Sequence, residues 1–424
     1  MNDKRAIKGL VGLAQGKVAL GYYAFAADEE LLYVAIRCRM LLCLGEGAFL
    51  YCSRLTSVCL SSCTALHTID THAFGGCAAL RSVDLSNCAA LHTISKRAFK
   101  GCTALSSLVL TGCTALNTIS EFAFDGCSAL LSLDLANCAA LHTIDAAAFG
   151  DCAALRSVDL SNCAALQTIS EFAFHGCTAL SSLVLTGCTA LRTIGKFAFD
   201  GCSALLSLDL SYCAALHTID ANAFVDCAAL RSVDLSNCAA LHTISKRTFH
   251  GCTALSSLVL TGCTALRTID ASAFDGCSAL LSLDLSSCAV LRIIGDGAFQ
   301  GCAALVSVNL PISAAFSLYS FDGCTSLDSI TWVHHGVVDR GALTTSISRG
   351  TLETTVGRVP DGLSVQTGIA PAYSIRSYGW GRYRSHHKVR GVALFLLGIT
   401  TERHCAPGGV WRKRDREAYD ADFP

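Results

Sequence analysis

The sequence lacks a long hydrophobic run, and its charges nearly cancel. The longest apolar stretch, Gly391 to Ile399, is about half of the roughly 20 residues that a membrane-spanning helix needs. No transmembrane segment is therefore predicted. The 32 Lys and Arg against 33 Asp and Glu give a net charge of -1, which argues against a nucleic-acid surface over the whole chain. A mean hydropathy of +0.47 excludes disorder across most of the 424 residues.

Catalytic and export signals are also missing. We find no nucleophile elbow, no phosphate-binding glycine loop before a helix and no His-Glu-x-x-His pair, so no enzyme activity and no cofactor are predicted. Residues 1–27 faintly resemble a secretory signal, but Gln15 and Lys17 interrupt the apolar region. No signal peptide is expected.

What the chain does contain is an internal repeat of 25 residues, marked by two series of cysteines. The first series comprises Cys63, Cys88, Cys113, Cys138, Cys163, Cys188, Cys213, Cys238, Cys263 and Cys288, and the second runs from Cys52 to Cys302 at the same interval. A longer period of 75 residues is visible as well, because RSVDLSNC begins at Arg81, Arg156 and Arg231. A period of this length predicts a solenoid, in which each unit buries its apolar face against its neighbours.

One repeat unit can be interpreted physically from residues 80 to 102. Its apolar columns are Leu80, Val83, Leu85, Cys88, Leu91, Ile94, Phe99 and Cys102. The first five match the leucine-rich-repeat pattern of a short strand followed by a turn. We therefore predict an α/β-type solenoid, a right-handed superhelix of about thirteen coils over residues 18–332, mostly strand and loop, with a parallel β-sheet on one face.

A family resemblance rests on the motif Ile-x-x-x-Ala-Phe-x-x-Cys-x-x-Leu, as in Ile94 to Leu105 and Ile119 to Leu130. This motif resembles the BspA-like leucine-rich repeats, in a cysteine-rich variant. The resemblance implies a non-catalytic scaffold for protein-protein interaction, with a surface antigen or adhesion as a setting. The proline that usually follows the strand in that family is missing before Pro311. The middle cysteine column resembles the repeats of F-box substrate receptors, which leaves an intracellular adaptor or ubiquitin-ligase substrate receptor as the alternative.

The repeat divides the chain into three regions. Residues 1–52 are interpreted as a degenerate N-terminal repeat and cap, and residues 53–332 as the regular solenoid. Beyond residue 333 the period vanishes and four of the five prolines occur, so residues 333–424 are expected to form a non-repeat basic tail, partly disordered. Within that tail, residues 376–416 mix Arg and Lys with Tyr and Trp, which suits phosphate contact and base stacking. Contact with nucleic acid or an anionic membrane is therefore a minor alternative.

The 26 cysteines are predicted to be free thiols. Equivalent cysteines in adjacent coils have parallel Cα–Cβ directions about 4.8 Å apart, rather than converging as a disulfide requires. Free thiols are compatible with a reducing compartment, so a cytoplasmic location is favoured over the cell surface. Cys63 and His67, like four similar pairs, suggest a metal site, but zinc sites use closer paired spacings. No metal is predicted.

Two surfaces are candidates for binding a protein partner. On the strand face, alternating Ser and Asp side chains should point outward, and the acidic residues are Asp84, Asp134, Asp159, Asp209, Asp234 and Asp284. On the returning arm, the residue before each Ala-Phe pair varies and is aromatic at Phe122, Phe172 and Phe197. Adjacent exposed aromatic side chains are typical anchors for a protein partner, although they could instead extend the core.

Overall fold

The computed structural model describes residues 10–12, 18–311, 313–316, 318–333, 343–348 and 351–355. These residues form a parallel β-solenoid of about thirteen coils, as predicted, and they contain no α-helix and one 3-10 helix, Leu318–Phe321. The proposed nucleic-acid or membrane segment, residues 376–416, lies outside the described residues. Turns connect the strands of each coil, in agreement with the prediction of mostly strand and loop.

Strands stack on two faces of the solenoid rather than on one. The arm face carries a continuous sheet of fourteen strands. They are β1 (Leu10–Gly12), β2 (Val18–Leu20), β4 (Leu41–Leu44), β6 (Thr68–Ile69), β8 (Thr93–Ile94), β10 (Thr118–Ile119), β12 (Thr143–Ile144), β14 (Thr168–Ile169), β16 (Thr193–Ile194), β18 (Thr218–Ile219), β20 (Thr243–Ile244), β22 (Thr268–Ile269), β24 (Ile293–Ile294) and β26 (Ala315–Phe316). All neighbours pair in parallel except β1 with β2, which are antiparallel.

The opposite face, which we call the ladder face, carries fifteen strands in the described part of the chain, and six of them are the predicted Ser-x-Asp strands. The fifteen strands are β3 (Tyr33–Ala35), β5 (Ser57–Cys59), β7 (Ser82–Asp84), β9 (Ser107–Val109), β11 (Ser132–Asp134), β13 (Ser157–Asp159), β15 (Ser182–Val184), β17 (Ser207–Asp209), β19 (Ser232–Asp234), β21 (Ser257–Val259), β23 (Ser282–Asp284), β25 (Ser307–Pro311), β27 (Ser329–Val333), β28 (Leu343–Ser348) and β29 (Thr351–Thr355). β28 and β29 form an antiparallel hairpin that pairs with β27, so the parallel stack ends there.

The sheet on the ladder face is interrupted at a regular interval. Hydrogen bonding stops after β9, β15 and β21, which are the strands that end in Val109, Val184 and Val259. The strand after each interruption is preceded by an exposed leucine, Leu131, Leu206 or Leu281. The 75-residue period of the sequence is therefore a structural period of three coils.

The core of the solenoid is a stack of phenylalanine rings, one in each coil. This core phenylalanine column contains Phe25, Phe49, Phe74, Phe99, Phe124, Phe149, Phe174, Phe199, Phe224, Phe249, Phe274, Phe299 and Phe321. Neighbouring centroids are 5.0 to 5.5 Å apart. Buried Leu, Ile, Val and Cys side chains fill the space around the stack, so the predicted inward positions are confirmed. Each large side chain buried in this way contributes about 1.5–3 kcal/mol.

Each coil closes through turns that need a left-handed backbone. In the coil that begins at β7, these positions are Asn87 (φ 62), Arg97 (φ 57) and Gly101 (φ 74). Asn and Gly suit such positions because they tolerate positive φ, whereas a large side chain is strained there. Backbone bonds continue from coil to coil through these corners, for example from Arg97 N to Glu121 O at 3.0 Å and from Gly101 N to Asp125 O at 2.8 Å.

Candidate functional site

The left-handed position before each Ala-Phe pair forms a second column along the arm. We call it the variable column, and its members in the ten coils from β6 to β24 are His72, Arg97, Phe122, Ala147, Phe172, Phe197, Asn222, Arg247, Ser272 and Gly297. All ten have φ between 50 and 62°. The same backbone conformation therefore carries side chains from glycine to phenylalanine, which means that the local fold does not dictate the residue.

The three predicted phenylalanines are half-buried, between the exposed and the fully buried alternatives considered from sequence. The rings of Phe172 and Phe197 are parallel, with centroids 5.0 Å apart. Phe122 lies two coils from Phe172, and Ala147 occupies the coil between them. The structure thus brings Phe172 and Phe197 together and leaves Phe122 across a gap of one coil.

That gap is a cavity of about 260 Å³, which we call the slot. The lining consists of two phenylalanine rings, three small residues and four polar side chains. Its lining residues are Phe122, Asp125, Ala146, Ala147, Gly150, Asp151, Glu171, Phe172 and His175. Sequence reasoning singled out the rings but missed the slot, although Ala147 between two phenylalanines of one column was the signal for it.

Charged side chains hold the rim of the slot in place. Lys100 Nζ lies 2.6 Å from Asp125 Oδ2, and the same ammonium lies 4.8 Å from the centroid of Phe122. His175 Nδ1 lies 3.0 Å from Asp200 Oδ2, and its ring packs edge-on against Phe172 at 5.7 Å. Burial raises the pKa of Asp200 above its ordinary value, and the neighbouring His175 partly offsets this.

The other candidate surface, the acidic side chains of the ladder face, is part of the turn chemistry. All six predicted aspartates point outward, and each accepts the backbone N–H two residues further on at 2.8 to 3.0 Å; they are Asp84, Asp134, Asp159, Asp209, Asp234 and Asp284. In Asp84, burial raises the pKa, but hydrogen bonds from Ser86, Cys59 and Ser61 together hold the pKa below its usual value. These carboxylates therefore stabilise the turn after the strand.

Cysteines contribute hydrogen bonds to the core. The 25 cysteines within the described residues are all free thiols. Most donate to a backbone carbonyl of the preceding coil, as Cys177 Sγ does to Phe149 O at 3.3 Å and Cys188 Sγ to Leu160 O at 3.2 Å. Burial raises the pKa of Cys177 to about 12 and that of Cys188 to about 11, so both thiols are neutral and unreactive at physiological pH.

The histidines that follow the first cysteine series line the outside of the arm. His67 packs edge-on against His92 at 5.2 Å, and His217 stacks on His242 at 5.7 Å. The cysteine of each unit points into the core, away from its histidine. Across the described part of the chain, no group of three His, Cys, Asp or Glu side chains is arranged to hold a metal ion. No helix there is long and apolar enough to span a bilayer.

Comparison with solved structures finds similarity to several bacterial proteins. A leucine-rich repeat protein from Bacteroides ovatus is 22% identical, with 77% of this chain and 94% of that chain covered and a TM-score of 0.44. A leucine-rich cell surface protein from Faecalibacterium prausnitzii is 20% identical, with 78% and 87% covered and a TM-score of 0.37. The pneumococcal vaccine antigen PcpA is 15% identical, with 77% and 86% covered and a TM-score of 0.35.

A search of the curated proteins finds no match to this chain. The family comparison is decisive, because the model of the BspA type leucine-rich repeat region matches in 6 copies over residues 18–140, 117–256 and 242–338. These matches cover the described coils from β2 to β27. The chain therefore belongs to the BspA-type leucine-rich repeat family.

Proposed function

We propose that this protein is a non-catalytic repeat scaffold that binds a protein partner through the variable column of the arm face. The observation that carries the proposal is the group of three half-buried phenylalanines, of which Phe122 and Phe172 line the slot and Phe197 stacks on Phe172. Buried aromatic anchors near a pocket are the side chains that most often dominate protein-protein binding energy.

Backbone strain supports this choice of surface. Phe122, Phe172 and Phe197 have φ values of 57, 58 and 54°, a conformation in which a bulky side chain is an outlier. Asn222 and Gly297 occupy the same position elsewhere and suit it without strain. Residues held in such conformations cost about 1–3 kcal/mol each and cluster at functional sites, and Phe122 and Phe172 combine this strain with a place in the lining of the slot.

The ladder face is the second candidate surface. Its six aspartates present an acidic stripe, but one oxygen of each carboxylate already accepts a backbone N–H. That hydrogen bond gives each aspartate a structural role in the turn, so its presence does not require a protein partner. The ladder face would become the binding surface if the aromatic side chains of the arm proved dispensable.

Presentation at a cell surface, with adhesion to a host or matrix protein, is the setting we propose for this interaction. It is supported by membership of the BspA-type family. The free thiols, taken above to favour the cytoplasm, do not oppose it, because most of them are buried and burial raises the pKa of thiols such as Cys177 and Cys188, which makes them unreactive. We expect a membrane-impermeant reagent to label the tagged chain on intact cells. Recovery of the unlabelled chain only in the cytoplasmic fraction would contradict the setting while leaving the binding surface open.

A pair of matched triple variants tests the binding surface. One variant carries three Phe-to-Ser changes, at Phe122, Phe172 and Phe197. The other carries three Leu-to-Ser changes at exposed ladder-face positions, Leu131, Leu206 and Leu281. Both remove three apolar side chains, but from opposite faces. We expect proteins cross-linked to the wild type in its native source to be lost from the first variant, by at least about tenfold for anchor residues, and retained by the second.

Two further measurements complete this test. Far-ultraviolet circular dichroism must show that both variants remain folded, which Ser272 in the same column makes reasonable for the phenylalanine variant. Loss of partners from the leucine variant alone would move the binding surface to the ladder face and contradict the proposal.

A further inference from the structure

The slot is the width of one missing aromatic ring. Beneath it, the core rings of Phe124, Phe149 and Phe174 follow one another at 5.1 and 5.3 Å. Phe122 and Phe172 lie above the two ends of this series, so two coil spacings separate them. Phe172 and Phe197, one coil apart, stack directly at 5.0 Å. A planar group held midway between Phe122 and Phe172 would therefore contact both rings.

Each ring that flanks the slot has one covered face and one open face. On the side away from the slot, Phe122 is covered by the guanidinium carbon of Arg97 at 5.5 Å and by Lys100 Nζ at 4.8 Å. Phe172 is covered on its far side by Phe197. The two remaining faces both point into the slot, where Ala147 has no side chain large enough to meet them.

The charge of the slot is negative. Asp125, Asp151 and Glu171 line it, and no Lys or Arg does so among the residues that the structure describes. Asp125 is paired with Lys100, whereas neither Asp151 nor Glu171 forms an ion pair within the described part of the chain. The occupant that fits must therefore be both flat and positively charged.

We infer that the slot binds one arginine side chain of the protein partner, with its guanidinium between the rings of Phe122 and Phe172 and facing Asp151 and Glu171. A guanidinium is planar, cationic and weakly hydrated, and it stacks on aromatic faces. A volume of about 260 Å³ is below the usual range of small-molecule sites and suits one side chain. Arg97 over the outer face of Phe122 is the same pairing within the chain.

This inference rests on the proposed function, and it excludes two other side chains on physical grounds. A lysine ammonium is compact and strongly hydrated, so it lacks a flat surface for two rings to cover. An aromatic side chain would fill the gap but would bury carboxylates without a partner. The order of affinity expected for the slot is therefore arginine, then lysine, then phenylalanine.

Capped tripeptides measure this order directly. The probes are acetyl-Gly-Arg-Gly-amide and its Lys and Phe counterparts, titrated into full-length protein carrying ring-labelled phenylalanine and followed by NMR. Resonances of Phe122 and Phe172 are assigned from their single Ser variants. We expect the Arg peptide to shift both resonances saturably, with affinity at least about fivefold above the Lys peptide. Raising the salt concentration should weaken binding, because salt screens the attraction between the guanidinium and the carboxylates of this solvent-accessible slot.

Filling the slot from within provides the decisive variant. Ala147→Phe continues the ring stack from Phe172 toward Phe122 and should abolish the shifts caused by the Arg peptide, a loss of about tenfold or more in affinity. The matched control is Asn222→Phe, which extends the same stack beyond Phe197, outside the slot, and should leave peptide binding unchanged. Asp151→Asn combined with Glu171→Gln should weaken the Arg peptide and leave the Phe peptide unaffected.

Each result has a defined meaning. Unchanged Arg-peptide binding in Ala147→Phe, or a Phe peptide that binds as tightly as the Arg peptide, overturns the arginine slot. If cross-linked partners are lost in the triple Ser variant but retained in Ala147→Phe, the slot inference fails and the proposed function stands. If partners survive the triple Ser change while the Arg peptide still binds the wild type, the proposed function fails and the slot remains a peptide site.

Discussion

The core phenylalanine column and the variable column run side by side along the solenoid, two residues apart in every coil. Phe174 is fully buried and stacks at 5.3 and 5.2 Å between its neighbours, whereas Phe172, in the same coil, is half-buried and stacks on Phe197 alone. The core column keeps phenylalanine in every coil from Phe25 to Phe299, while the variable column ranges from glycine to arginine. Burial, rather than the repeat period, therefore decides which positions are uniform.

A pair of single substitutions in one coil would test that contrast, and it has the largest expected effect. Phe174→Ala removes a ring that packs on both faces, and we expect it to lower the free energy of unfolding by about 3–5 kcal/mol. Phe172→Ala loses one stacked contact at the surface, and we expect a cost of about 1 kcal/mol. Urea unfolding with unchanged m-values measures both. Equal losses would show that the variable column belongs to the core.

The contrast also explains which features could be predicted from sequence. The 25-residue period, the buried Leu, Ile, Phe and Cys columns and the outward Ser and Asp side chains follow from spacing, because each coil repeats the same burial pattern. The continuous arm sheet could not be predicted in this way. Its regular strands, such as Thr118–Ile119, are two residues long, too short to give an alternating pattern.

The slot and the strained column were beyond sequence reasoning for a different reason. Positive φ at Phe122, Phe172 and Phe197 contradicts local preference and arises from the turn that the whole coil imposes. The slot above Ala147 depends on the positions of the Phe122 and Phe172 rings, which belong to the two neighbouring coils. The role of Asp84 and its equivalents in capping a turn likewise becomes visible only when the N–H two residues on is placed.

Cysteine substitutions extend the comparison of buried and half-buried positions, and their expected effect on the free energy of unfolding is intermediate. Cys202 is fully buried and donates to Phe174 O, whose oxygen also accepts the N–H of Cys177. Because that carbonyl stays paired, Cys202→Ala should cost mainly a small cavity, about 1–2 kcal/mol in urea unfolding. Cys59→Ala, at a half-buried position on the ladder face, is the control and should cost about 0.5 kcal/mol or less. If Cys59→Ala lost more stability than the substitution of the buried cysteine, the degree of burial would not determine the cost of removing a thiol.

The smallest expected effect concerns a carboxylate at the edge of the variable column. Asp145 lies two residues before Ala147 and is half-buried, and burial together with the nearby Glu121 raises its pKa above the ordinary value of 3.8. A raised carboxyl pKa means that the folded state binds the proton more tightly. The contribution of Asp145 to stability is therefore fully present below pH 3.8 and is lost as the pH rises through the folded-state pKa.

Replacing this carboxylate should thus stabilise the protein at neutral pH and have little effect in acid. Ser95, Ser120 and Ser170 hold the same position in nearby coils, so Asp145→Ser keeps the local backbone bonds of the turn. We expect a gain of about a few tenths of a kcal/mol at pH 7, discounted for solvent screening, and none at pH 3. Urea midpoints at the two pH values measure it, and the acid sample is the internal control. A gain of equal size at both pH values would assign the effect to packing and would place this edge of the variable column with the core.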